Sequence, residues 1–301
     1  MREDFSCVIC SHKKLQSILV GRNDREYGHP VKLHYFRCKN PHCSHVQALP
    51  MPSESMIASF YTEYTTHNVY RPRGLGRILD IYSEHKANER LRFLVDDFVS
   101  RKNIRILDFG CGNGANLKRL SGLGYKNLMG FDFDPKAISF VSSQGISCSG
   151  DFLELTKNSF DIVFLNHVIE HLPDPEITIR KLSTLLRPEG IMMIRTPNSQ
   201  SFLARLCGFN WRGWETPRHL NIFSFQSLKI MIDANPSVVV SEACTSNDML
   251  AAIAISSLPA VLCKIKAVKI ISTIVLIMAG KVMELTSLRL GEEIVFKLKI
   301  K

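Results

Sequence analysis

The chain has 301 residues, enough for one large α/β domain with a small appendage and too few for several full-sized domains. With 45% hydrophobic and 22% charged residues it is composed like a globular protein, which excludes a disordered or collagen-like chain. A net charge of +10 favours an anionic partner, whether nucleic acid, a phosphorylated substrate or a membrane surface, without choosing among them. Arg2, Glu3 and Asp4 do not make a secretory signal, so a cytoplasmic location is expected, and the nine cysteines read as thiols or metal ligands.

Three stretches follow one another. Residues 1–52 hold the pairs Cys7-x2-Cys10 and Cys38-x4-Cys43, a spacing at which four thiolates chelate one tetrahedral Zn2+. A segment this short has too little core to fold unaided, and a metal would supply the missing stability. His42 and His45 stand beside Cys43, so the identity of the fourth ligand stays open between them and Cys43. Residues 53–103 are a connecting stretch: Arg71-Pro72-Arg73-Gly74 breaks it, and a helix is predicted from about Glu84 to Ser100 with Leu91, Leu94, Val95 and Phe98 on one face.

From Ile104 onward strands and helices alternate, the pattern of a parallel sheet with helices on both faces. Strands are predicted at 104–109, 127–132, 146–150, 160–165 and 189–195, with a helix over about 114–122. Val238–Val240 and Glu293–Leu298 make two more, seven in all, parted by an apolar insertion at 249–285. The two apolar runs of that insertion, 249–262 and 267–280, are each shorter than the roughly 20 residues that span a bilayer. They read as a helical hairpin packed internally, or as one making peripheral membrane contact through Lys264, Lys266 and Lys269.

The richest segment is Ile106-Leu107-Asp108-Phe109-Gly110-Cys111-Gly112-Asn113-Gly114. An apolar strand ends in an acid and breaks into glycines at alternate positions, where backbone can approach a ligand closely. The next strand also ends in an acid, Asp132, the layout that puts a carboxylate on ribose hydroxyls. Asp108 would repel a pyrophosphate but suits a ligand that carries an ammonium and a sulfonium.

This loop resembles the first motif of the class I S-adenosylmethionine-dependent methyltransferases. The resemblance continues through Gly150-Asp151-Phe152, Phe160–His167 and Leu185–Gly190, and on through Trp211–Leu220 into Phe223-Ser224. It implies a Rossmann-like seven-stranded sheet and S-adenosyl-L-methionine as cofactor. It further implies that Gly110, Cys111 and Gly112 wrap the amino-acid end with Asp108 near the ammonium, and that Asp132 takes the ribose hydroxyls. Phe133, Asp151 and Phe152 would meet the adenine, and Asn166 and His167 would border the methyl group. Tyr61–Tyr64 resembles a lid closing over the cofactor, and Trp211 and Trp214 read either as an acceptor wall or as packing. The cysteine segment resembles the ribbon that precedes the methyltransferase domain in some sugar-modifying enzymes.

Transfer to an alcohol or carbon needs a base near neutrality. His167, Glu170 and His171 fall at i, i+3 and i+4 and are expected on one helix face, and His219 is a further candidate. One of these histidines acts as base, or His167, Glu170, His171 and His219 together hold a divalent metal, or they are structural. Ubiquinone-biosynthesis O-methyltransferases carry Glu where this chain has His167, which argues against a hard Mg2+ site. The expected acceptor is a small molecule, a sugar or a lipid-linked glycan. A rival reading is an RNA methyltransferase, but Asn166-His167-Val168 departs from the Asn/Asp-Pro-Pro-aromatic wording of base-amine enzymes. Another rival is a non-enzymatic zinc-ribbon interaction protein with a relict cofactor fold. Oligomeric state is left open.

Overall fold

A computed structural model describes residues 5–19, 24, 27–61, 75–248 and 289–301, together with single positions 253, 275, 278, 279 and 282. Tyr64 and nearly all of the 249–285 insertion lie outside the described residues.

Three short strands open the chain, β1 (Leu15–Leu19), β2 (Tyr35–Cys38) and β3 (Val46–Ala48), paired antiparallel in that order. Then come α1 (Glu54–Ser59) and α2 (Leu75–Leu94), the latter beginning before the predicted start and ending before Ser100. Its buried Leu91 and Leu94, with Val95 and Phe98 beyond, cover one face of the main sheet.

The main sheet is built by β4 (Arg105–Phe109), α3 (Ala115–Gly122), β5 (Asn127–Phe131), α4 (Pro135–Ser143), β6 (Ser147–Ser149), β7 (Phe160–Asn166), α5 (Pro175–Ser183) and β8 (Leu186–Pro197). After α6 (Phe202–Cys207), β9 (Asn221–Ile222) and α7 (Phe225–Asp233), β10 (Val238–Ser246) and β11 (Glu293–Ile300) complete it. All seven predicted strands are present. Their order is β10-β11-β8-β7-β4-β5-β6, with β11 antiparallel to both neighbours and the rest parallel. Alternate residues serve opposite faces. Leu107, Val163, Met192 and Phe296 meet one helical layer, while Ile106, Ile162, Met193 and Val295 meet the other.

Local signals start the helices. Asp134 caps α4 ahead of Pro135, and Ser224 and Ser227 form a reciprocal capping box on α7. The chain leaves β4 for β5 on one side and β7 lies on the other, so the crevice at the carboxyl end of β4 is a topological switch point.

The N-terminal strands join the body. β3 pairs with β9, giving a four-stranded sheet β1-β2-β3-β9 whose last strand belongs to the chain after β8. One expectation is corrected here: no α-helix carries His167, Glu170 and His171. His167 sits at φ +57°, and only Ile169–His171 form a single 3-10 turn, closed off by Pro173 and Pro175.

Candidate functional site

Gly110, Gly112 and Gly114 all have positive φ, at +78°, +52° and +69°. A Cβ on Gly110 would lie 2.5 Å from Val168 Cγ2, so a side chain there would push the β4 loop off the β7 loop. The Gly110 and Cys111 amides donate to the Phe131 carbonyl at 2.7 and 3.0 Å. The Gly112 amide donates to Asp132 Oδ2 at 2.8 Å, and the Asp134 amide to Oδ1 at 3.0 Å. Asp132 is thereby pinned at the tip of β5, and each oxygen keeps a lone pair for a further donor.

Phe133 beside it is 71% exposed and stands edge-on to Phe131 and Phe109, a free aromatic face at the rim. Phe152 packs edge-on against Phe131, while Asp151 Oδ1 accepts from the Leu153 amide. Asn166 ends β7, in register with Arg195. Asp108 is buried, and among the described residues its Oδ2 has no hydrogen-bond partner. Burial, with the Asp132 charge adding to it and Asn116 opposing, pushes its carboxyl up to about 8.

The histidines gather below the β7 and β8 ends. His167 donates from Nε2 to Glu293 Oε1 at 2.7 Å, and its Nδ1 lies in ion-pair contact with Glu170 Oε1 at 3.2 Å. Burial opposes its charge, but the two carboxylates prevail and raise it to about 9. An imidazolium with both nitrogens engaged has no lone pair left to take a proton. Glu293 also accepts from Arg195, which reaches Asp248, and Glu170 Oε2 accepts from Thr196. Despite burial, His167 and its neighbours hold Glu170 down at about 2.

His171 and His219 pack edge to face with ring centroids 4.7 Å apart. His219 Nδ1 donates to the Gly213 carbonyl at 2.8 Å, and His171 Nδ1 meets the Arg218 carbonyl at 3.1 Å and the Tyr61 hydroxyl at 3.0 Å. A carbonyl only accepts, so Nδ1 carries a proton in both rings. His219 Nε2 lies 3.7 Å from Glu215 and 4.0 Å from Glu170. Burial, seconded by His219, brings His171 down to about 4, so it is neutral at ordinary pH. Glu170, His171 and His219 each place one ligand atom within 4.8 Å of the others, which leaves room for a cation. Trp211 and Trp214 are buried and spend their indole N–H groups on Glu292 and the Gly208 carbonyl.

Cys7, Cys10, Cys38 and Cys43 come together with their sulfurs within 4.8 Å of one another. Cys7 and Cys43 stand 3.8 Å apart, and Cys10 and Cys38 3.6 Å. A tetrahedron with Zn–S bonds of about 2.3 Å has sulfur–sulfur edges of roughly 3.8 Å, so the four thiols fit that ion. The alternatives for the fourth ligand recede: His42 is exposed outside the cluster, and buried His45 gives Nε2 to Asn221 at 3.0 Å.

This knot is wired to the histidines. Ser224 Oγ donates to the Cys43 carbonyl, Asn221 Nδ2 to the Leu172 carbonyl and the Leu220 amide to the Glu170 carbonyl. The Tyr35 hydroxyl donates to the His219 carbonyl at 2.8 Å, and buried Asp24 clamps Arg218 through two hydrogen bonds. Sequence reasoning missed Glu293, Glu215, Tyr35 and Asn221, since each meets the histidines only through folding. The acidic pair Glu292-Glu293 heading an apolar strand was the one local signal.

The sheet order, with its antiparallel β11, and the glycine loop at the switch point define a protein of the Rossmann-like methyltransferase class. The family model described as Methyltransferase domain matches residues 82–236, more than half of the chain, and the chain belongs to that family. It is similar to a ubiquinone biosynthesis O-methyltransferase of Marinobacter nauticus, 30% identical in an alignment of 139 positions that covers 41% of this chain and 58% of the relative. It is also similar to a tRNA U34 carboxymethyltransferase of Aliarcobacter butzleri, 30% identical over 39% of this chain and 41% of the relative. The chain spans about half the length of the curated relatives it matches. A solved coclaurine N-methyltransferase has 14% identity and a TM-score of 0.48, covering 71% of this chain and 70% of its own.

Proposed function

We propose that this chain is an S-adenosylmethionine-dependent methyltransferase acting on a hydroxyl or acidic carbon of a small molecule, sugar or lipid-linked glycan. The observation that carries it is the pairing of the glycine loop and Asp132 with His219, a buried ring whose Nδ1–H is fixed on the Gly213 carbonyl and whose Nε2 is turned toward Glu215 and Glu170. Bound S-adenosylmethionine would supply an electrophilic methyl group. Asp108 would face its ammonium, with Asp132 on the ribose, Phe133, Asp151 and Phe152 at the adenine, and Asn166 near the methyl.

His219 Nε2 takes the acceptor proton, and the carboxylates of Glu215 and Glu170 nearby stabilise the imidazolium that results. His171, drawn down by burial, orients the ring beside it, and His167 acts as a fixed cation between Glu170 and Glu293. Cys7, Cys10, Cys38 and Cys43 hold a structural Zn2+. A lipid-bearing acceptor is supported by Val275, Met278 and Val282, three exposed apolar side chains in the insertion. No helix among the described residues is long and apolar enough to cross a membrane.

Calorimetry with S-adenosylmethionine tests the reading first. Asp132→Ala is expected to weaken binding by about 1.5–3 kcal/mol, the scale for hydrogen bonds to a charged acceptor. No binding by the unsubstituted protein, or equal binding by both, overturns it. Labelled cofactor offered to nucleotide-sugars, lipid-linked glycans, phenols and tRNA then identifies the acceptor, and label on tRNA alone would move the assignment to RNA.

A further inference from the structure

Cys111 and Cys148 stand apart from the four-thiol cluster, and neither is needed for acid–base work. Cys111 lies inside the glycine loop, between Gly110 and Gly112. Cys148 is the middle residue of β6, the edge strand of the main sheet, and is half-buried where Cys111 is buried. Their sulfurs are 3.6 Å apart. They meet over Gly130 of β5, which is in register with Cys148. A Cβ on Gly130 would lie 2.7 Å from Cys111 Sγ and 3.1 Å from Cys148 Sγ, so the missing side chain is what lets the two sulfurs touch across the strand. Leu117, Val141, Leu128 and Ile146 enclose the pair in apolar packing.

We propose that Cys111 and Cys148 are an oxidation site: peroxide joins them in a reversible disulfide that pulls the glycine loop toward β6 and closes the cofactor site. The step balances. The more accessible Cys148 thiolate attacks the peroxide O–O bond, giving a sulfenic acid and hydroxide. Cys111, 3.6 Å away, then attacks that sulfur and water leaves, so two thiols and one peroxide become one disulfide and two waters. The hydrogen bond from Cys111 draws the Cys148 thiol below its ordinary range against the effect of burial, which favours attack from Cys148.

The sulfurs must close from 3.6 Å to about 2.05 Å, and the side able to give is the loop, since Cys148 is held in a ladder with β5. Gly112 then shifts relative to Asp132, breaking the 2.8 Å bond that organises the ribose end. That consequence for the cofactor rests on the function proposed above, whereas the disulfide does not.

The 301-residue protein, loaded with zinc, is treated with limiting hydrogen peroxide and digested without reductant. The expected results are a cross-linked peptide joining Cys111 to Cys148, faster amide exchange at Gly112 as its bond to Asp132 is lost, and S-adenosylhomocysteine affinity reduced about ten-fold or more and restored by dithiothreitol. Cys148→Ser, and Cys148→Ala as a second variant, should bind S-adenosylhomocysteine as the unsubstituted protein does and keep that affinity after peroxide. Zinc release, followed in parallel, separates damage at the four-thiol cluster. Hyperoxidised Cys148 with no cross-link overturns the proposal, as does a cross-link that leaves both exchange and affinity unchanged. If the untreated protein binds no S-adenosylhomocysteine, the functional reading fails, and the cross-link and exchange alone decide the oxidation site.

Discussion

Asp108, His171 and His219 are the residues whose chemistry can be checked most directly. Asp108 is a buried acid pushed up to about 8, so it holds its proton at neutral pH. A cationic ammonium placed against it favours the carboxylate, and binding near pH 7 must then release a proton. Affinity should rise as pH climbs toward 8 and level off above it, because the proton to be displaced is already gone there. The binding enthalpy at pH 7 should depend on the buffer's ionisation enthalpy, and that dependence should vanish in Asp108→Asn. A flat response in the unsubstituted protein removes Asp108 from the cofactor. Turnover separates the histidines. Replacing the base, assigned to His219, should lower turnover about 100-fold or more with cofactor affinity nearly intact. His171→Ala should cost less, since its low proton affinity makes it a poor base. Near-normal turnover in both variants would leave alignment as the source of the rate, and silencing by a chelator with the ribbon metal retained would favour a cation on Glu170, His171 and His219.

Among the elements, the β1-β2-β3-β9 sheet matters most, because it ties the cysteine knot to the histidine loop. Its Tyr35 hydroxyl holds the His219 carbonyl, and Ser224 on the same loop holds the Cys43 carbonyl. Tyr35→Phe removes one buried hydrogen bond, worth about 1 kcal/mol in stability. It should lower turnover about ten-fold by loosening His219, since small misplacements are costly to reaction rates. Zinc content and cofactor affinity should not change. Cys7→Ser/Cys10→Ser should strip the metal, read by elemental analysis, and reproduce the turnover loss together with a large loss of stability. Zinc content equal to that of the unsubstituted protein would show that these thiols are not ligands. The 3-10 turn Ile169–His171 is the counter-example to sequence periodicity: the i, i+3, i+4 spacing is there, but His167 in a left-handed conformation and two prolines prevent a helix. Glu170 still reaches His167, through the tightness of the turn.

Across the whole molecule, the most consequential join is Asp24 with Arg218, an ion pair with both side chains fully buried and the Tyr27 ring beneath the guanidinium. Removing one partner strands a buried charge. Arg218→Met should cost about 3–5 kcal/mol in urea unfolding, and adding Asp24→Asn should recover part of that. Equal stability in Arg218→Met would show that the Asp24–Arg218 pair adds no net stability.

How much was legible in advance follows from the range of the interactions. The seven strands, the glycine loop, Asp108 and Asp132 could be read from the chain because each rests on local rules: alternation of apolar residues, positive φ at glycine, an acid at a strand end. The two cysteine pairs were legible for the same reason, as chelation needs each pair close in sequence. The partners of the histidines were not. Glu293 lies 126 positions from His167, and Tyr35 lies 184 from His219, so no window along the chain contains both. That His167 is a locked cation while His219 has its Nδ1 fixed on a carbonyl depends on which carboxylates and carbonyls meet them in the dry interior, where a single contact decides how each ring is held. Residue types and spacing determined the fold and the glycine loop; only the packing of distant segments decided which groups each histidine meets.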